Sequence, residues 1–445
     1  MRRVKEVEVN VTSAWKRLGV LLLLGAALVW VLFHLWAQVR GTRMANVVGD
    51  AEHLKTALAY DPGQAEVHTR LGFYYLYDPF LFDPPQAVQH FEAAVEIQPF
   101  DWNAWSNLGR AYEQQGDVAR AERAYLFGIE LAPHYFYPRW AYGNFLLRRG
   151  EIDRAFRELR RASDIHPQAI GNICDLIWQT TGGNAEVLVQ FGTSLRTGSA
   201  KGAVSQCLMA RAEYQRAVNV WKTLTRDDPA KIDTGRSLVS WLTGAGQWPL
   251  AYLVWQEVVR EEFKASGEVS PADLMFWNGD FDYDMAVGGF DWSINSSQEV
   301  EARLDTVERY RGNQSLLLEF KQHQRVNFSG VTHDLWVEPS TRYRLRFYYK
   351  TEKVPETNGL AVVLTDVESL TRFSFESKQL GNESQWTRKE ITFETPAETR
   401  ILRLQIVRRP VGQIYDYIKG RVWFDSFSLE PAPLEITDSP NRTEQ

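Results

Sequence analysis

The stretch WNAWSNLGRAYEQQGDVARAERAYLFGIELAP, Trp102 to Pro133, decides how most of this chain folds. Trp105, Leu108, Gly109 and Tyr112 mark one helix face, and Ala121, Tyr125 and Gly128 mark a second before Pro133 closes the unit. Small residues at these places let two antiparallel helices approach closely. The frame then returns, because Gly109 to Gly143, Ala121 to Ala155 and Pro133 to Pro167 are each separated by 34 residues. An earlier copy opens with Leu71, Gly72 and Tyr75 and closes with Ala87, Phe91, Ala94 and Pro99, displaced by three residues. The displacement falls at Asp78 to Pro85, where prolines would interrupt any helix.

This pattern resembles the tetratricopeptide repeat. Three clear repeats cover about residues 65–168, and their apolar faces must be buried by stacking, because one helix pair makes no core. Ala51 to Asp61 reads as the second helix of an incomplete capping repeat, with Leu54, Ala57 and Leu58 on one face and Pro62 ending it. Residues 169–263 keep the helical character with a degraded motif: Ala217, Trp221, Leu224 and Pro229 fit a closing half. Leu238, Trp241, Ala251, Trp255 and Val258 suggest one more helix pair with its turn at Gly244 to Gln247. The expected solenoid spans residues 50–263. In the family the first helix of each repeat lines the concave surface, so the resemblance puts Phe73, Tyr77, Asn103, Asn107, Arg110, Asn144 and Arg148 at a peptide groove for a protein partner. For Phe73 and Tyr77, packing under the long turn of the first repeat is the alternative.

Ahead of the solenoid, Leu18 to Val39 carries no fixed charge. A helix of that length spans roughly 33 Å, enough for a hydrocarbon core. Arg2, Arg3, Lys5, Lys16 and Arg17 precede it while Arg40 and Arg43 follow, so the positive-inside rule puts residues 1–17 in the cytoplasm and the bulk of the chain outside. A cleaved signal peptide is the rival, with Leu35-Trp36-Ala37 as a weak processing site, but the apolar run exceeds a usual signal core.

Beyond a linker at 264–273 the period changes from helical to alternating. Tyr343, Leu345, Phe347 and Tyr349 interleave with Arg344, Arg346, Tyr348 and Lys350, and similar runs recur from Leu316 to Leu429 between glycine, proline and asparagine turns. Residues 274–431 are expected to form an antiparallel β-sandwich, and residues 432–445 a disordered tail. The expected fold class is therefore a multidomain chain with a transmembrane helix, an all-α solenoid and an all-β jelly roll.

Asn278 to Asp282, Phe290 to Ser293, Gly312 to Leu318, Pro339 to Tyr349 and Val422 to Leu429 together resemble jelly-roll carbohydrate-binding modules of the galactose-binding-like group. Such modules often hold a structural calcium between the first and last strands. The resemblance would place it at Asp282 and Asp425, whose hard oxygens suit that ion. Asp425 capping a turn is the alternative. Strand alternation turns Arg344, Arg346 and Tyr348 outward, and likewise Arg403 and Gln405. If both strands share a sheet, these five residues form one basic, tyrosine-bearing face for an acidic polysaccharide. The alternative is that the arginines pair with glutamates, lay their stems over the sheet or dock the sandwich on the solenoid.

The remaining composition narrows the function classes. A net charge of −6 supplies no basic field for nucleic acid. Two cysteines, Cys174 and Cys207, make neither a disulfide scaffold nor a multi-cysteine zinc site. The eight histidines are dispersed, and no zinc-protease helix, nucleophile elbow or phosphate loop occurs. The sequence therefore reads as a non-enzymatic scaffold without a cofactor beyond the calcium named above, serving cell-envelope or exopolysaccharide assembly. A structural assembly protein with a docking sandwich is the second reading, and a glycan-active enzyme the third.

Overall fold

A computed structural model describes residues 14–46, 51–263, 269–285, 288–412 and 417–432. Residues 1–13 of the expected cytoplasmic segment, half of the expected linker and nearly all of the expected tail lie outside these. The described residues form fourteen α-helices followed by ten strands in two antiparallel sheets. The chain divides at Gly183 into two compact units.

The first unit begins with α1 (Ala14–Asn46), whose stretch Arg17–Gly41 is long and apolar enough to cross a membrane. Its far end packs on α2 (Ala51–Tyr60): the Trp36 ring meets Tyr60 edge-on at 6.0 Å, and a Cβ on Gly41 would strike Gln64. The capping helix read from the sequence therefore has a partner, and that partner is the end of the apolar helix itself. Then follow α3 (Ala65–Tyr77) and α4 (Pro84–Ile97), α5 (Trp102–Gln114) and α6 (Val118–Leu131), and α7 (Phe136–Arg148) and α8 (Ile152–Ile165), each pair antiparallel, before α9 (Ile170–Thr180). Asp83, Asp101 and Asp117 cap α4, α5 and α6 by accepting from backbone N–H groups, which satisfies donors a helix start leaves open.

Within each pair a glycine faces a large side chain. A Cβ on Gly72 would lie 2.7 Å from the Phe91 ring, on Gly109 3.0 Å from Tyr125, and on Gly143 2.8 Å from Leu159. The three-residue displacement is absorbed in the turn between α3 and α4, where Asp78 and Asp83 hold backbone N–H groups and the helices keep their contact.

The second unit holds α10 (Ala185–Ser194), α11 (Gly198–Met209), α12 (Tyr214–Lys222), α13 (Pro229–Gly244) and α14 (Trp248–Glu262), then the sandwich. One sheet runs β1 (Trp292–Ile294), β4 (Phe328–Trp336), β9 (Ile401–Arg408), β6 (Leu360–Asp366), β7 (Ser374–Glu376). The other runs β2 (Val300–Asp305), β3 (Ser315–Gln324), β10 (Ile418–Pro431), β5 (Arg342–Glu352), β8 (Thr387–Glu394). Their inner faces bury Leu318, Leu345, Phe347, Leu364, Leu404 and Phe424 in one core. The last solenoid helix is fixed to this sandwich by aromatic packing. Tyr252 lies flat on Trp336 at 4.8 Å, and Trp255 packs on Phe290 and Trp277.

Ala121 is fully buried in the α5–α6 contact. Ala121→Trp is expected to overpack it and lower stability by about 1–3 kcal/mol or more, seen as a lower midpoint of helix melting by circular dichroism; an unchanged curve would contradict the packing described.

Candidate functional site

Two surfaces carry the chemistry, one in each unit. In the first, α3, α5 and α7 place Tyr77, Arg110, Asn144 and Arg148 together around a residue the sequence reading missed, Glu113. Arg148 donates to both oxygens of Glu113 at 2.6 and 2.7 Å, Arg110 donates at 3.0 Å, and Tyr125 Oη adds a fourth bond at 3.1 Å. Arg148 also reaches Asn144. Burial would push the Glu113 carboxyl up, but Arg148 and Arg110 hold it below the usual carboxylate range. Two guanidiniums on one carboxylate leave one positive charge in the groove, which suits an anionic group on a peptide. Phe73 stacks on Tyr77 at 5.8 Å and meets Phe91 edge-on, so it belongs to the packing of the first repeat while Tyr77 stays half exposed. Asn107 corrects the expectation: it is 1% exposed and donates to Asn103 O at 2.7 Å, so it braces the helix and does not line the groove. The i, i+3 spacing of Arg110 and Glu113 was the signal that could have found the glutamate.

The second surface is the outer face of the β2-β3-β10-β5-β8 sheet. The alternation read for β5 holds, with Tyr343, Leu345, Phe347 and Tyr349 buried and Arg344, Arg346, Tyr348 and Lys350 on the other side. The expected single face does not form as drawn, because β9 belongs to the other sheet. Arg403 and Gln405 point away from the β5 residues, and Arg403 grips Asp334 with two bonds of 2.7 and 2.8 Å. On the β5 face, Arg344 and Arg346 each bridge to both Glu390 and Glu430 at 3.0–3.3 Å. That pair of arginines is therefore neutralised, by carboxylates that alternation in β8 and β10 also turns outward.

The unpredicted feature of this face is an aromatic platform. Tyr310 stacks on Tyr348 with ring centroids 3.7 Å apart and planes 13° from parallel, and Trp386 lies 6.0 Å from Tyr310. All three remain partly exposed. A groove of about 640 Å³ flanks Tyr348 on one side, lined among others by Asp280, Asp282, Arg311, Arg346 and Arg388. A second groove of about 800 Å³ is lined by Asp305, Glu308, Lys350, Asn382, Arg421 and Trp423. Trp423 donates to Asp305 at 2.9 Å, Trp386 donates to Glu308 at 3.0 Å, and Lys350 pairs with Glu308 at 2.9 Å. Polar groups fixed around exposed rings are the equipment a sugar requires, one ring for the apolar face of a pyranose and oriented donors and acceptors for its hydroxyls.

Asp282 and Asp425, expected at a calcium ion, converge on the loop that carries Tyr310. Asp425 accepts from the backbone N–H groups of Tyr310 and Arg311 at 2.7 and 3.0 Å and from Ser426 at 2.6 Å; Asp282 accepts from Asn313 at 2.6 Å. Among the described residues no group of three or more His, Cys, Asp or Glu gathers around them. The two carboxylates clamp the loop through these N–H bonds and thereby seat Tyr310 over Tyr348. Gly312, at φ +63°, allows the close pass, since a Cβ there would strike Asp282.

Burial raises the Asp425 carboxyl to about 6 against its backbone hydrogen bonds, and raises Asp291, beside Trp292 and Asn278, to about 7. Asp291 Oδ2 has no hydrogen-bond partner. A carboxyl whose pKa is higher folded than unfolded binds its proton more tightly when folded. Its contribution is therefore present at low pH and is lost as pH rises from the ordinary value of 3.8 through the folded value. Asp291→Asn is expected to melt progressively higher than the parent protein as pH rises from about 4 to about 7, with the difference level above that; a constant difference across pH would overturn the assignment.

A family profile described as tetratricopeptide repeat matches residues 83–136. Superkiller protein 3 of Schizosaccharomyces pombe is 34% identical over 74 residues, 17% of this chain and 5% of that protein. The chain thus spans a small part of the curated relatives it matches. Among solved structures, the crystal structure of MamA is similar at 21% identity over 26% of this chain and 67% of that one, with a TM-score of 0.24. A family 16 carbohydrate-binding module is similar at 16% identity over 35% of this chain and 99% of that one, with a TM-score of 0.25.

Proposed function

We propose that the chain is a membrane-anchored, extracytoplasmic scaffold that joins protein-binding helical repeats to a glycan-binding sandwich, serving cell-envelope or exopolysaccharide assembly and carrying out no catalysis. The observation that carries the reading is the partly exposed Tyr310–Tyr348 stack between two polar grooves on one sheet face. In this reading the apolar part of α1 crosses the bilayer, with the basic residues before it on the cytoplasmic side. The solenoid takes an anionic peptide segment at Arg110 and Arg148. The sandwich takes a polysaccharide bearing uronic acids, whose carboxylates meet Arg311 and Arg388 while a sugar ring lies against the exposed part of the Tyr310–Tyr348 stack. A structural calcium at Asp282 and Asp425 would reinforce this clamp, and a chelator would then lower the thermal midpoint; an unchanged midpoint would dispose of the metal.

A second reading, that the sandwich is a protein-docking module, is favoured by one observation: the four bridges of Arg344 and Arg346 to Glu390 and Glu430 consume the charge that an acidic glycan would use.

Full-length protein in detergent micelles should be retarded by polygalacturonate in affinity electrophoresis and much less by dextran. Tyr348→Ala is expected to weaken retention about tenfold, the effect of losing an interaction of about 1.4 kcal/mol, with the melting curve unchanged. Asp425→Ala should weaken it as well, by freeing Tyr310, and lower the thermal midpoint too. Equal migration with and without either polymer would leave the docking reading in possession.

A further inference from the structure

We propose that one edge of the helical stack lies on the lipid bilayer, held there by aromatic side chains of the loops between repeats. The inference rests on the reading above that α1 crosses the membrane, and goes beyond it by naming a second, peripheral contact of the same unit.

The geometry follows from the antiparallel order of the helices. The uncharged run of α1 ends at Val39. Just before that point Trp36 meets Tyr60, the last residue of α2, and just after it Gly41 abuts Asp61 and Gln64. The connection between α2 and α3 therefore sits at the level where the span leaves the hydrocarbon. Ala37 is buried in this contact, so the junction is packed and is not a loose tether. From there α3, α5 and α7 lead away from that level, and α4, α6 and α8 lead back. The connections 98–101, 132–135 and 166–169 fall on the same edge as Tyr60, and the turns within the repeats fall on the opposite edge.

The first edge is rich in rings. Phe100 is 82% exposed and Tyr135 is 58% exposed, each in a connection where the chain had every polar option. Behind them Trp102 contacts Tyr135 at 5.5 Å and Trp105 contacts Phe127 at 4.6 Å. The Trp105 indole N–H donates to Pro99 O at 2.8 Å, which ties that ring to the edge. Tryptophan and tyrosine prefer the headgroup level of a bilayer, where one part of the ring is in apolar surroundings and the polar tip stays wet. Trp36 and Tyr60 occupy that level by position, and Phe100 and Tyr135 continue the row along the stack. The opposite edge is polar at Gln115 to Asp117 and at Arg149 to Glu151, and among the described residues it exposes apolar groups in the first repeat, at Tyr77, Phe80, Leu81 and Phe82. Exposed rings on the edge that lies level with the end of the membrane-spanning run, beside the packed Trp36–Tyr60 junction, fit a lipid surface as the occupant.

The test uses the full-length chain in phosphatidylcholine nanodiscs, with a genetically encoded spin-label residue at one position at a time: 24, 80, 100, 115 or 135. Accessibility to oxygen against a water-soluble nickel chelate reads depth. Position 24 should lie in hydrocarbon, positions 100 and 135 should show a ratio several-fold above that at 115, and position 80 should resemble 115. If 24 is in lipid but 100 and 135 match 115, the edge contact is overturned while the anchor reading stands; insertion at 80 without 100 overturns it by showing the opposite edge down. If 24 is in water, the anchor reading itself fails and the edge contact with it. Because a label could disturb the loops, amide exchange of the unmodified chain provides the second measurement. Residues 98–101 and 132–135 should exchange more slowly in nanodiscs than in short-chain detergent, whereas 115–117 should not; equal exchange in both media overturns the proposal.

Discussion

The helical half of this protein depends on one close approach, repeated: a glycine of the first helix against a large side chain of the second. Gly109 meets Tyr125 and Gly143 meets Leu159, each across sixteen residues, and Gly72 meets Phe91 across nineteen, the extra three lying in the intervening turn. A methyl group at any of these glycines would push the helices apart, so the contact fixes the antiparallel pairing and the separation of the axes together. Once the pairs stack, every first helix presents the same face. That is how Tyr77, Arg110, Asn144 and Arg148, spread over three repeats, converge on Glu113, and how rings in successive connections come to share one edge.

In the sandwich an analogous role falls to a buried carboxylate and a partly exposed one beside it. Asp425 is fully buried, which would be costly for a charge without partners, but three backbone N–H groups answer its two oxygens. These bonds hold the loop that carries Tyr310, and Asp282 fixes its far end. Tyr310 covers Tyr348 because of this clamp, so a structural ionisable group and an exposed recognition surface belong to one arrangement. Trp336 on Tyr252 does comparable work on the other sheet, fixing the last helix to the sandwich by stacked rings.

The sequence by itself determined what is local or periodic. The repeat frame was legible because glycine, alanine and proline recur every 34 residues, and the place of the three-residue insertion was legible because prolines stop helices. The inward and outward sets of β5 and β9 were legible because successive side chains of a strand alternate. Only the tertiary structure decided which strands are neighbours. Alternation assigns a residue to a face but not a strand to a sheet, and β5 and β9 are separated by enough chain to enter different sheets, so Arg403 never joins Arg344. The same holds for Asn107, whose place in the repeat frame matched a groove position while its depth in the stack did not, and for Tyr310, which lies in an irregular loop with no period to read. Contacts between groups distant along the chain are set by the packing of whole elements, and no local spacing encodes them.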